Sequence, residues 1–203
     1  LYLDALGEVD PAHLRDRAER LADWINAYNA MTIKGILDFY PTKSIREHVS
    51  VIGYNIWKDY KMLVNGTAYS LDDIEHDILR KMGDPRIHFA LVCASVGCPK
   101  LLSEPYTSDR LDEQLTRSTR DFFSDPKKFR IDRATGSVHQ SPIMDWYKDD
   151  FGKNKSERLA FIKPFLGDAD DRAFLGSSGL KVKNLDYDWN LNDQSHQQVK
   201  VIP

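Results

Sequence analysis

The sequence predicts an α+β fold: one domain over residues 1–203, with a long buried N-terminal helix packed on a small, mostly antiparallel sheet. Three observations carry that prediction. Helical periodicity dominates the chain up to Pro41, two turn-centred pairs of short apolar runs come after it, and helices and strands then mix without strict alternation. A length of 203 residues suits one domain better than two.

The elements are taken in order. Asp10 before Pro11 reads as an N-cap with proline at the first helical position. Leu14, Ala18, Leu21, Ile25, Tyr28, Thr32, Ile36 and Phe39 then recur at three- and four-residue steps, and Pro41 ends the run. Asn65-Gly66 between two apolar runs signals a hairpin over 61–69. Ser70, with Asp73 three residues on, approximates a capping box for a helix from Leu71 to Met82, which Gly83 and Pro85 close. Arg86 to Cys93 reads as a mostly apolar, central strand, and 94–105 as a loop rich in Ser, Gly and Pro. A helix over 107–123 and a second hairpin, 129–132 with 137–140, come next. Short helices near 141–147, 157–165 and 170–175 and a last strand at 180–185 complete the set.

Composition narrows the function classes. Hydrophobic residues make up 41% and charged residues 29%, the balance of a water-soluble globular protein. A net charge of −3 leaves no excess of Lys and Arg to neutralise phosphates, which argues against nucleic acid as a partner. No apolar run reaches the roughly 18 residues of a membrane span. A small molecule or a peptide is the remaining substrate class, and no cofactor motif stands out. The sequence opens at Leu1 rather than Met, so the expectation is a processed or excised segment. Two cysteines are compatible with one bridge or with two thiols, and leave the compartment open.

Candidate chemistry concentrates between Glu75 and Pro99. On a helical wheel Leu71, Ile74, Ile78, Leu79 and Met82 define the buried face of the 71–82 helix; Glu75 falls in its middle, with His76 and Arg80 on the flank. A buried carboxylate needs a partner, either a site histidine or an arginine such as Arg80 or Arg86 in a structural pair. Strand alternation puts His88 on one face and Cys93 on the other, where Cys93 packs. Cys98 stands in the loop beyond the strand end. A histidine backed by a carboxylate would lower its pKa, and Gly97 would let a backbone N–H approach an oxyanion. The expected catalytic set is therefore Cys98 as nucleophile, His88 or His76 as base and Glu75 as the orienting acid. An imidazole nitrogen is expected about 3–4 Å from the sulfur. Asn26 and Asn29, polar residues inside the apolar half of the long helix, either bond a neighbouring loop or serve, with Arg80, the substrate or oxyanion. Zinc held by Cys93, Cys98, His88 and His76 is disfavoured by the spacing and by the opposed strand faces, so no metal is expected. The rival to catalysis is a binding module in which Glu75, His76 and Arg80 form a structural network.

These motifs resemble a known family. Trp24-Ile-Asn-Ala-Tyr-Asn-Ala30, Leu71-Asp-Asp-Ile-Glu-His-Asp-Ile-Leu-Arg80, His88-Phe-Ala-Leu-Val-Cys-Ala-Ser-Val-Gly-Cys-Pro99 and Tyr187-Asp-Trp-Asn-Leu-Asn192 are similar to blocks of the domain-of-unknown-function 547 family, in its bacterial form. Trp146-Tyr-Lys-Asp-Asp-Phe151 resembles a further block. The resemblance implies bacterial members that are exported or lipid-anchored, hence a periplasmic or exported location, and a distant relation to papain-like or permuted thiol-hydrolase folds. Its motif positions are Asn26, Asn29, Glu75, His76, Arg80, His88 and Cys98. Bacterial members commonly carry Ser before the motif cysteine, where this chain has Gly97. The implied function is a thiol-dependent hydrolase or acyl transferase acting on an amide, peptide or thioester bond.

Overall fold

The long helix begins where a side chain can close its open amides. In the computed structural model, which describes residues 2–50 and 52–193, the Asp16 carboxylate accepts the Glu19 N–H at 2.8 Å. Glu19 in turn reaches back to the Arg15 N–H at 2.7 Å. This corrects the expected start at Asp10-Pro11. Pro11–His13 makes only a single 3-10 turn, between helix α1 (Tyr2–Glu8) and helix α2 (Arg17–Asp38). Helix α2 is central, with Leu21, Ile25, Tyr28 and Met31 almost fully buried, as the periodicity predicts.

A short helix α3 (Ile56–Asp59) leads into the first hairpin, strands β1 (Lys61–Val64) and β2 (Thr67–Ser70). The pairing is antiparallel, Lys61 opposite Ser70 and Val64 opposite Thr67. Asn65 (φ 48°) and Gly66 (φ 75°) take the left-handed conformations that a two-residue turn demands. Helix α2 lies on this hairpin, with Trp24 set edge-on to Tyr69 at 5.0 Å.

Ser70 and Asp73 form the expected box: the Asp73 carboxylate accepts the Ser70 N–H at 2.9 Å and Ser70 Oγ accepts the Asp73 N–H at 3.1 Å. The helix that this box caps is not a plain α-helix. Asp73–Leu79 is a π-helix, the Arg80 N–H bonding the Glu75 carbonyl, and Arg80–Met82 tightens to 3-10 before Gly83 (φ 74°). Widened turns of this kind are uncommon and gather at functional sites.

The expected strand over 86–93 does not form. Asp84 caps a 3-10 turn, Pro85–Phe89, by accepting the Arg86 N–H at 3.0 Å. Beyond it Asn29 of α2 replaces a neighbouring strand, donating to the Ala90 carbonyl and accepting the Val92 N–H, both at 2.9 Å. Strand alternation therefore does not apply to His88 and Cys93.

Helix α4 (Leu111–Ser124) starts four residues later than expected, because Gln114 occupies the preceding turn through the Thr107 N–H (2.9 Å) and the Pro105 carbonyl (2.8 Å). Strands β3 (Phe129–Asp132) and β4 (Ser137–Gln140) form the second expected hairpin. Helices α5 (Ile143–Trp146), α6 (Lys148–Phe151), α7 (Lys155–Ile162) and α8 (Ala169–Phe174) come next. Strand β5 (Lys181–Asn184) then pairs parallel to β4, giving the order β3-β4-β5. The fold is α+β, and among the described residues two of the three strand pairings are antiparallel. Among the described residues no helix is long and apolar enough to cross a membrane.

One part of the core gathers α2, the first hairpin, the π-helix and the start of α4. Another gathers Phe89 with Phe122, Phe123, Phe129 and Phe151. Phe89 is fully buried, its ring 4.8 Å from Phe122 and 5.0 Å from Phe123. Phe89→Ala is expected to cost about 3–5 kcal/mol, read as a lower urea midpoint at unchanged slope.

Candidate functional site

The π-helix brings Glu75 and His76 together at the wall of a cleft of about 300 Å³. Helix α2 supplies Tyr28 and the loop after the Pro85–Phe89 turn supplies Cys93 and Cys98. Trp146 and Tyr147 come from the α5–α6 junction, and Tyr187 and Trp189 from the segment after β5.

Glu75 is 7% exposed, as its place on the buried face predicts. Its partner is neither histidine nor arginine. Tyr28 Oη donates to the Glu75 carboxylate at 2.8 Å, and the Tyr147 hydroxyl lies near enough to feel its charge. Burial, together with the Glu75 charge, pushes the Tyr28, Tyr147 and Tyr187 hydroxyls well above the ordinary tyrosine range, so all three act as donors.

The arginines that the sequence offered to Glu75 are engaged elsewhere. Arg86 pairs with Asp84 and Asp112. Arg80 makes a two-pronged pair with Asp150, Nε to Oδ2 at 2.7 Å and Nη2 to Oδ1 at 2.9 Å. It also donates to His76 Nδ1 at 3.1 Å, while His76 Nε2 lies 3.7 Å from Asp72.

His88 is enclosed, its side chain 1% exposed, with its ring stacked on Tyr147 at 3.9 Å. Its Nε2 donates to Asp150 Oδ2 at 2.8 Å. The His88 hydrogen bond first, and Arg80 second, hold the Asp150 carboxyl well below the usual carboxylate range. A carboxylate accepting at Nε2 requires a hydrogen on that nitrogen and fixes the plane of the ring. The carboxylate that bonds this histidine is thus Asp150, not Glu75.

Cys98, expected as a free thiol with Cys93 packed away from it, is joined to Cys93 in a disulfide. The loop doubles back through Ala94 (φ 55°) and a turn closed by the Cys98 N–H on the Ser95 carbonyl at 3.0 Å, which brings the two residues together. Among the described residues, the hydrogen bonds onto Cys98 Sγ come from the Cys93 N–H at 2.8 Å and Tyr187 Oη at 3.2 Å, not from an imidazole. The same hydroxyl lies 3.2 Å from Cys93 Sγ. With these sulfurs bonded to each other and His88 on Asp150, the four-ligand zinc set does not assemble.

Four other expected residues stand outside the cleft wall. Asn26 bonds Tyr106 through both ends of its amide, at 2.8 and 2.9 Å, and Asn29 holds the 90–92 backbone, so both are loop clamps. Arg80 acts on Asp150. The Gly97 N–H is taken by the Asp188 carbonyl at 2.9 Å and so is not an oxyanion donor. What requires glycine there is Tyr187: an added Cβ would stand 3.0 Å from its ring.

Sequence reasoning missed Tyr28, Tyr147, Asp150, Tyr187 and the tryptophans as site residues. A signal was present, since Trp146–Phe151 and Tyr187–Asn192 each combine aromatic and acidic residues. A family model described as "Protein of unknown function, DUF547" matches residues 11–123. No curated protein and no solved structure matches the chain.

Proposed function

The chain belongs to the DUF547 family, and from that premise we propose that it is a thiol-dependent hydrolase or acyl transferase acting on an amide, peptide or thioester bond. The observation that carries the reading is the setting of Cys98 Sγ, which accepts the Cys93 N–H and the Tyr187 O–H in a cleft that His88, hydrogen-bonded to Asp150, also lines. Hydrogen bonds onto sulfur favour thiolate over thiol.

In this reading the disulfide is the resting form. A dithiol reductant attacks the bridge through a mixed disulfide and is itself oxidised to a disulfide, its two electrons and two protons leaving Cys93 and Cys98 as thiols. The Cys98 thiolate then adds to the substrate carbonyl, and the amine or thiol leaves with a proton. Water or a second nucleophile releases the acyl group from the thioester so formed. His88 is the base through Nδ1, and Asp150 holds its ring. The papain-like relation belongs to this proposal as well.

The test is alkylation of the reduced chain by iodoacetamide as pH is varied. Cys98 is expected to react well below the reference thiol pKa of about 8.5. A reactivity profile centred at or above that value overturns the reading.

A non-catalytic binding cleft is the second reading. It is favoured by the disulfide, which leaves neither sulfur as a thiol in this form. It expects the chain to keep its ligand whether oxidised or reduced, with no acyl group transferred to Cys98.

A further inference from the structure

Glu75 is nine-tenths buried at the wall of the cleft, yet the hydrogen bond on its carboxylate comes from the Tyr28 hydroxyl, and among the described residues no ion pair engages it. Arg80 feels the Glu75 charge but spends its own two-pronged pair on Asp150, so among the described residues no cation is bonded to the Glu75 carboxylate. The cleft it borders is rich in aromatic side chains. Trp57, Trp146 and Trp189 all line it, Trp146 stacking on Trp189 at 5.6 Å and Trp57 standing edge-on to Trp189 at 6.5 Å. Tyr187 packs beside them, 4.5 Å from Trp189 and 4.8 Å from Trp146. Trp146 is exposed, so this wall is open to an incoming molecule.

Indole faces attract cations, and a buried carboxylate supplies the counter-charge. Lys58 also lines the cleft but is exposed, free to turn its ammonium to water. We propose that the cleft binds an organic ammonium ion, with Glu75 as counter-charge and the three tryptophans as its walls. The inference rests on reading this cleft as a substrate site and names the substrate's class: a molecule presenting an alkylammonium group, carried either by a small amine or by a lysine side chain.

The test uses the oxidised full chain, in which neither cysteine is a thiol, so binding is read apart from catalysis. Three of the four tryptophans line the cleft, which makes intrinsic fluorescence a direct readout. Choline and n-butylammonium are expected to change it saturably. The neutral isostere 3,3-dimethylbutan-1-ol and the Glu75→Gln variant are each expected to weaken binding at least about tenfold. Trp146→Ala, at an exposed position where folding is not at risk, is expected to weaken choline binding about threefold and the isostere less. Acetyl-Ala-Lys-Ala-amide binding more tightly than n-butylammonium assigns the cation to a lysine side chain; equal affinity assigns it to a free amine. Isostere and choline binding alike, or Glu75→Gln binding choline unchanged, overturns the proposal. Loss of choline binding beside intact Cys98 alkylation separates its failure from failure of the thiol reading.

Discussion

Cys98→Ser is expected to lower acyl transfer from an activated ester or thioester by at least about a thousandfold, whereas Cys93→Ser keeps the activity and makes it independent of added thiol. The two substitutions are chemically alike and remove the same disulfide. Any difference between them therefore isolates the role of each sulfur. Cys93 contributes its backbone N–H to Cys98 Sγ, and serine keeps that N–H. Tyr187 Oη also remains in place for Cys98. Single-turnover acylation followed by mass measurement of the labelled peptide gives the result directly. Equal activity of the two variants, or label on Cys93 in the wild-type chain, removes Cys98 as the nucleophile.

Asp150→Ala is expected to destabilise the fold by about 2–4 kcal/mol, below the most severe buried-pair losses because Asp150 and Arg80 are partly exposed. The substitution leaves the Arg80 guanidinium without its two-pronged partner and a fully enclosed His88 without its acceptor. For a chain of this length that is a fall of roughly 5–15 °C in Tm. The pH dependence has a definite sign. The folded-state pKa of Asp150 is depressed, so its stabilisation is fully present above the unfolded carboxylate value of about 4 and is lost as pH falls below it, toward the folded pKa. Asp150→Asn should flatten that acid limb in a comparison of urea midpoints at several pH values. An unchanged limb would show that other carboxylates carry it. If His88 is the base, Asp150→Asn also lowers acylation more than it alters ligand binding, since the ring then loses the carboxylate charge that fixes its tautomer and stabilises the imidazolium.

How far the site could be read from the chain depends on how local each cause is. The Asn65-Gly66 turn, the Ser70–Asp73 box and the burial of Glu75 depend on neighbours within a few residues, and each was legible. The shared cleft of Glu75, His76, His88 and Cys98 was partly legible, because one stretch of chain carries all four. The segment 86–93 was not, since its apolar run matches a strand while its backbone is held by Asn29 from a helix far away in sequence. The partners in the site were least legible of all. Asp150 lies 62 residues from His88, and Tyr187 lies 89 residues from Cys98.

By itself, then, the sequence determined the mixed α+β class, the buried central helix, both hairpins and the neighbourhood in which candidate chemistry gathers. Tertiary structure alone decided that Asp150 rather than Glu75 bonds His88, that Cys98 is bridged to Cys93, and that Glu75 meets a tyrosine in an aromatic cleft. The physical reason is a difference in range. Turn dihedrals, caps and amphipathic faces are set by adjacent residues, whereas the partner of a buried polar group is whichever side chain the packing of distant elements brings within about 3 Å.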